Sequence, residues 1–150
     1  MIKVFRADMS YLDDIAPLFD AYRQFYNEEA DLPGAKAYLQ ARLERNEAIV
    51  FLATPDGGSP AGFTLLYPTF CSVAAQQVLV LYDLFVDPAM RRQGIATNLL
   101  ETAAAYADEL KVAWLKLETE ATNQPAQSLY EKLGWKRDTE FFTYYLKPSL

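Results

Sequence analysis

Histidine is absent from all 150 positions of the chain. Its absence excludes a Ser-His-Asp or Cys-His relay, a HEXXH metal site and a histidine pH switch. Cysteine occurs once, at Cys71. A single thiol excludes a disulfide framework within the chain and any multi-cysteine zinc or iron–sulfur site, and it suits a reducing compartment. No basic neighbour is placed to activate Cys71, so a reactive thiol is not expected, and no metal is expected. Positive charge is scarce: 14 Lys and Arg stand against 20 Asp and Glu, a formal charge of −6. Nucleic acids need a positive face and are not expected partners. An acidic surface attracts cationic ligands such as amines, and it also simply keeps a protein soluble. No apolar run approaches the roughly 20 residues of a membrane span, so no membrane partner is expected. The opening Met1–Arg6 alternates like a strand and lacks the apolar centre of a signal peptide, which makes a cytoplasmic chain the expectation.

Apolar residues make up 51% and charged residues 23%, a globular balance, and the length predicts one domain over residues 1–150. Lys3 to Ala7 reads as a first strand. Ser10, three before Asp13, resembles a capping box. Leu12, Ile15, Leu18, Phe19, Tyr22 and Phe25/Tyr26 recur at helical spacing and predict a helix over roughly 11–26. An acidic loop follows to Gly34, then a second helix marked by Tyr38, Leu39 and Leu43 that fades near Asn46. Ala48–Ala53 is a short buried strand, Pro55–Gly58 a hairpin turn, and Gly62–Tyr67 the next strand. Val78–Val86 is the longest β-type run. Gly94 to about Leu110 is an alanine-rich helix and Val112–Glu118 a further strand. Asn123 and Pro125 open a helix that ends at Gly134. Thr139–Leu146 alternates and predicts a last strand, with an extra short one near Trp135. The order β-α-α-β-β-β-α-β-α-β predicts an α/β (α+β) fold: a mixed, mostly antiparallel sheet of six or seven strands, with helices on both faces.

Chemistry concentrates in Leu81–Thr97. A buried strand ends at Val86, and Pro88 cannot extend its ladder. Arg91, Arg92, Gln93 and Gly94 then lead into a helix whose free N–H groups and dipole converge on one spot. Gly94 and Ala96 lack bulk, so an anion can approach the backbone, and the arginines can add charge-assisted bonds. A plain strand–turn–helix with a glycine for tightness would read the same way. A second stretch, Asn123–Trp135, sets Asn123 and Tyr130 seven residues apart, about two turns and hence on one side of a helix. Asn123 there is either a ligand for something in a groove or only a helix cap, and Tyr130 either faces that groove or is core.

Together the two stretches resemble the GNAT superfamily of acyl-CoA-dependent N-acyltransferases. Arg91, Gly94 and Ala96 match its Arg/Gln-x-x-Gly-x-Gly/Ala pattern, and Leu84, Val86 and Pro88 match the lead-in. Asn123, Ala126, Leu129, Tyr130, Gly134 and Trp135 match the second family pattern. Tyr22–Tyr26 and Tyr82–Asp87 look most like the branch holding histone, polyamine and diamine acetyltransferases.

The resemblance implies acetyl-CoA as donor, lying where two neighbouring parallel strands splay apart. Leu84, Phe85 and Val86 would pair with the pantetheine arm. Arg91 would contribute charge, and backbone groups of Arg92, Gln93, Gly94, Ile95, Ala96 and Thr97 would cradle the pyrophosphate. Asn123 and Ala126 would contact pantetheine from the other side, and a backbone N–H near Phe85 would polarise the thioester. It implies direct attack by an amine in a ternary complex, with Tyr130 as general acid. Some diamine acetyltransferases carry a glutamate where this chain has Tyr82, so polyamine specificity does not follow. Asp83, placed by strand alternation on the face opposite Tyr82, is a base, an acceptor-pocket anion or a structural acceptor, and Glu118 is a lesser candidate base. Tyr22, Tyr26 and Tyr82, with Phe25, Glu28, Glu29 and Asp31, would suit an amine with an apolar body, although aromatics at helical spacing are also ordinary core. The expected acceptor is a small primary amine: polyamine-, diamine- or amino-acid-like. A protein lysine or N-terminus is the alternative, and a non-catalytic acyl-CoA-binding module is a third reading. The aromatic stretch Phe141–Tyr145 either packs within the chain or across a homodimer.

Overall fold

β-Branched and aromatic residues dominate the runs that become strands in the computed structural model, which describes residues 1–149. Five strands form one sheet: β1 (Ile2–Ala7), β2 (Ile49–Pro55), β3 (Gly62–Cys71), β4 (Gln76–Val86) and β5 (Leu115–Leu117), side by side in that order. Neighbours from β1 to β4 run antiparallel, and β4 pairs with β5 in parallel. Antiparallel strands need only a short connection, here residues 56–61 between β2 and β3, where Gly57 turns the chain at φ +64°. The parallel pair needs a crossover, which is the helix α3 (Ile95–Leu110).

Helices α1 (Leu12–Phe25) and α2 (Leu32–Glu44) cover one face. Leu12, Ile15, Leu18, Phe19 and Leu39 form a single buried cluster with Val50, Leu52, Phe63, Leu65 and Phe85 of the strands. Each such side chain contributes roughly 1.5–3 kcal/mol. The acidic loop is tied down at its end: Asp31 caps α2 by accepting from the Gly34 N–H at 3.0 Å, and the buried Asp20 accepts from the Asp31 N–H at 2.9 Å. Helix α3 covers the other face with Ile95, Leu99, Leu100 and Ala103, all buried. Its Tyr106 ring meets Phe51 of β2 with centroids 5.6 Å apart.

The chain divides into two compact units, Met1–Glu118 and Thr119–Leu150. Within the second, α4 (Gln124–Lys132) starts at Asn123 and is followed by Gly134 at φ +96°, as its terminal residues predict. Among the described residues no strand forms after α4, neither near Trp135 nor over 139–146. The sheet therefore has five strands rather than six or seven. Alternation makes a strand only where a neighbour takes its backbone groups and one face is covered. Here Phe141, Phe142, Tyr144, Tyr145 and Leu146 are 78–93% exposed. Strand β5 is also shorter than predicted. The Val112 N–H remains with α3, on the Ala107 carbonyl, and only from Ala113, which donates to Gln77 at 2.9 Å, does the chain turn to β4. At the start of α1, Ser10 is not the cap. The Asp8 carboxylate takes both its N–H (2.9 Å) and its hydroxyl, closing a 3-10 turn over Met9–Tyr11, and α1 starts at Leu12 without a side-chain cap.

Candidate active site

Strand β4 outruns its parallel neighbour. Its ladder with β3 continues to Gly62↔Val86, but its pairing with β5 stops at Leu81↔Leu117. From Tyr82 to Val86 no strand among the described residues pairs with that second edge, which is a template for an extended chain bearing amides. The predicted Leu84, Phe85 and Val86 lie on this stretch. Phe85 turns its ring into the core, while Leu84 and Val86 are half-buried. Gly62 allows the close approach here: a Cβ on it would stand 2.8 Å from the Phe85 carbonyl oxygen and 3.3 Å from Cγ2 of Ile95.

Beyond Val86 the chain tightens into a 3-10 turn over Pro88–Met90, which Asp87 caps by accepting from the Ala89 N–H at 2.9 Å. Arg92 (φ +65°) and Gly94 (φ +76°) are left-handed, and α3 begins at Ile95. Gly94 gives α3 no side-chain cap, so its first N–H groups are left for an external acceptor. A Cβ on Gly94 would meet no heavy atom within 4 Å, so the space beside it is open. Ile95 is buried and can offer only its backbone, Ala96 and Thr97 are half-buried, and Arg91, Arg92 and Gln93 are exposed. The Arg91 guanidinium lies between two rings, 5.9 Å from Phe25 and 6.0 Å from Phe85, and its Nε donates to the Val86 carbonyl at 3.1 Å.

Asp83 is a buried carboxylate, 7% exposed. Burial pushes its pKa up to about 6, against the neighbouring Tyr22 phenol, which favours the charged form. Burial, and next the Asp83 charge, push the Tyr22 phenol above its usual range. The strand-alternation reading of Asp83 and Tyr82 needs correction. Leu65 pairs with Asp83 but Leu66 with Leu81, so Tyr82 is the extra residue of a β-bulge. Tyr82 packs its ring 5.3 Å from Tyr67, and the Asp83 charge also acts on the Tyr67 phenol. Both residues therefore border one cluster instead of lying on opposite faces. The buried Thr64 hydroxyl donates to the Asp83 carbonyl beside the bulge at 2.8 Å. Tyr22 completes the wall, 5.1 Å from Tyr26, 5.9 Å from Phe63 and 6.0 Å from Phe85.

Two members of this cluster escape the sequence reading. Tyr67 of β3 and Tyr38 of α2 join their hydroxyls at 2.5 Å. Tyr67 does share a period-2 face with Phe63 and Leu65, but only the register across the bulge sets it beside Asp83. Glu118, past the end of β5, is exposed.

In the second unit the Asn123 side-chain oxygen accepts from the Ala126 N–H at 3.2 Å, so Asn123 does cap α4. Ala126 is half-buried, and the ring of Tyr130 lies 6.2 Å from that of Trp135.

Residues 15–135 match the model of the acetyltransferase (GNAT) family. The chain belongs to this family. An uncharacterized N-acetyltransferase of Bacillus subtilis, YhfO, is 46% identical over 132 residues, 88% of each chain. A crystal structure of a probable acetyltransferase superposes with a TM-score of 0.92 at 35% identity, covering 98% of both chains. Over a shorter stretch of 65 residues, 43% of this chain and 44% of the relative, the [ribosomal protein bS18]-alanine N-acetyltransferase of Escherichia coli is 40% identical. This GNAT chain is thus an enzyme that moves an acetyl group to an amine, and the donor GNAT acetyltransferases use is acetyl-CoA. The chain's own features fit that donor: an edge of β4 that no described strand takes beyond Leu81, a helix start without a side-chain cap, and a glycine beside which there is room.

Proposed function

We propose that the enzyme acetylates the primary amine of a small molecule by direct attack in a ternary complex. The observation that carries this reading is the buried Asp83, surrounded by phenols and set just before the unpaired end of β4. An alkylammonium of pKa about 10.4 is only about 0.1% neutral at physiological pH, a cost of roughly 4 kcal/mol. Asp83, ionised at neutral pH yet more basic than an ordinary carboxylate, accepts that proton directly or through water. Tyr22, Tyr26 and Tyr82 hold the acceptor. The amides of Leu84–Val86 pair with the pantetheine arm, and one near Phe85 polarises the thioester oxygen. Arg91 and the backbone of Arg92–Thr97 hold the pyrophosphate, and Asn123 and Ala126 also contact pantetheine. Tyr130 is the acid: its place in the Asn123–Trp135 pattern supports this, and a phenol near 10 gives its proton to a thiolate near 8.5 at small cost.

A second reading, acetylation of a protein N-terminus, draws support from the bS18-alanine N-acetyltransferase and from human N-alpha-acetyltransferase 30, 48% identical over 63 residues, 42% of this chain and 17% of that relative. The deciding experiment measures thiol release from acetyl-CoA with a panel of small amines and N-terminal peptides. Turnover of small amines is expected, and turnover of peptides alone would replace the first reading by the second. In the same assay Tyr130→Phe should be slower by about 10²-fold, the scale of general-acid catalysis, with CoA affinity retained. Unchanged turnover at saturating amine removes Tyr130 from its role.

A further inference from the structure

Large aromatic side chains seldom remain at a surface together without a function. Around Asp83 four of them do: Phe25 is 60% exposed, Tyr26 46%, Tyr38 40% and Tyr82 62%. Their rings touch in two groups, Tyr22–Tyr26–Phe25 and Tyr67–Tyr82, and the Tyr67–Tyr38 hydroxyl bond ties the second group to α2. Tyr22 and Tyr67, half-buried, stand between the exposed rings and the carboxylate, and both feel its charge. A carboxylate among phenol faces is a site for one cation carrying an apolar body, since ring faces attract ammonium groups and the rings cover hydrocarbon.

The surrounding charges point to a single cation. Asp83 is the one buried carboxylate in this cluster. The other, Asp20, is committed to the Asp31 N–H and to Gln24. Two guanidiniums flank the aromatic surface: Arg42, 5.0 Å from the Tyr38 ring and paired with Glu47, and Arg91, 5.9 Å from the Phe25 ring. On the loop after Tyr26, Glu28 pairs with Arg23. A second ammonium on the acceptor would lie among the rings with no second buried carboxylate to meet it.

We propose that this aromatic surface selects amines bearing one positive charge and an apolar body over diamines and polyamines, and that Tyr67 is the specificity-determining residue. The proposal rests on the small-molecule reading above. Tyr67 is held from behind by Tyr38, so its ring is presented to the acceptor with little freedom left to lose.

The test compares 2-phenylethylamine, 1,4-diaminobutane and an N-terminal tetrapeptide as acceptors for the native enzyme, Tyr67→Leu and Tyr67→Phe, with thiol release as readout. For the native enzyme kcat/KM should favour the monoamine by about tenfold or more, the scale of leaving the second ammonium of the diamine without a partner. Tyr67→Leu should raise the monoamine KM by about the same factor, narrow its advantage over the diamine, and leave the acetyl-CoA KM unchanged. Tyr67→Phe keeps the ring and should show a smaller change in the same direction. Preference for the diamine in the native enzyme overturns the proposal, as does a monoamine KM that neither variant moves. The native comparison decides even if Tyr67→Leu does not fold. Turnover of the peptide alone overturns the small-molecule reading itself, whereas preference for the diamine leaves that reading standing.

Discussion

Replacing Gly94 by valine separates the cost of a backbone conformation from the cost of a blocked ligand. Gly94 sits at φ +76° and ψ 13°, a region where an L-residue costs roughly 1–2 kcal/mol and a β-branched one lies at the upper end. No heavy atom lies within 4 Å of the added Cβ, so the expected cost to the fold is that strain. The expected loss of stability is about 2 kcal/mol, or roughly 4–8 °C in Tm for a chain of this size. The new branches instead project beside the N–H groups that open α3. Charge-assisted hydrogen bonds contribute about 1.5–3 kcal/mol each, so losing two weakens CoA binding by roughly 10²- to 10⁴-fold. Calorimetric titration with CoA, paired with thermal unfolding, measures both quantities, and Gly94→Ala should fall between the native protein and the valine variant in each. A valine variant that stays folded and binds CoA as tightly as the native protein would refute the placement of the pyrophosphate at this loop.

Two further perturbations test the carboxylate and the second unit. The Asp83 pKa is raised from 3.8 to about 6, so the folded protein holds this proton more tightly than the unfolded chain. The stability it contributes is full below about pH 4 and declines as pH rises to about 6, by about 3 kcal/mol at 1.36 kcal/mol per unit. Asp83→Asn should flatten that decline in a stability–pH series, and it should remove an activity limb that rises with ionisation near pH 6; a native profile flat from pH 5 to 7 contradicts the base role. Asn123→Ala should cost about 1 kcal/mol as a lost cap, whereas Asn123→Ser keeps the cap. If both variants bind CoA normally, Asn123 serves the helix alone.

Local chemistry carries much of this protein in its one-dimensional form. Apolar spacing from Leu12 to Phe25 set α1 to within a residue of its ends, because a helix buries whatever recurs along one side. Asn123 and Gly134 bounded α4, since capping and positive φ depend on one residue and its nearest neighbours. The two GNAT patterns were legible for the same reason: each lies within one turn and the helix that follows it. What depends on partners distant in the chain was not legible. Alternation over Thr139–Leu146 does not become a strand, because among the described residues no strand supplies its hydrogen bonds. The bulge at Tyr82 arises from β3's register, and it turns Tyr82 and Asp83 from opposite faces toward one cluster. Tyr67 and Tyr38, 29 residues apart, meet only because the sheet and α2 bring them together. Sequence alone determined which residue types were available for acyl transfer, and with histidine absent carboxylate and phenol are among those that could carry a proton. Tertiary structure decided which of the many carboxylates is buried: packing separates Asp83, with its raised pKa, from exposed acids such as Glu118, and that difference is what supports the proposed role of Asp83 as base.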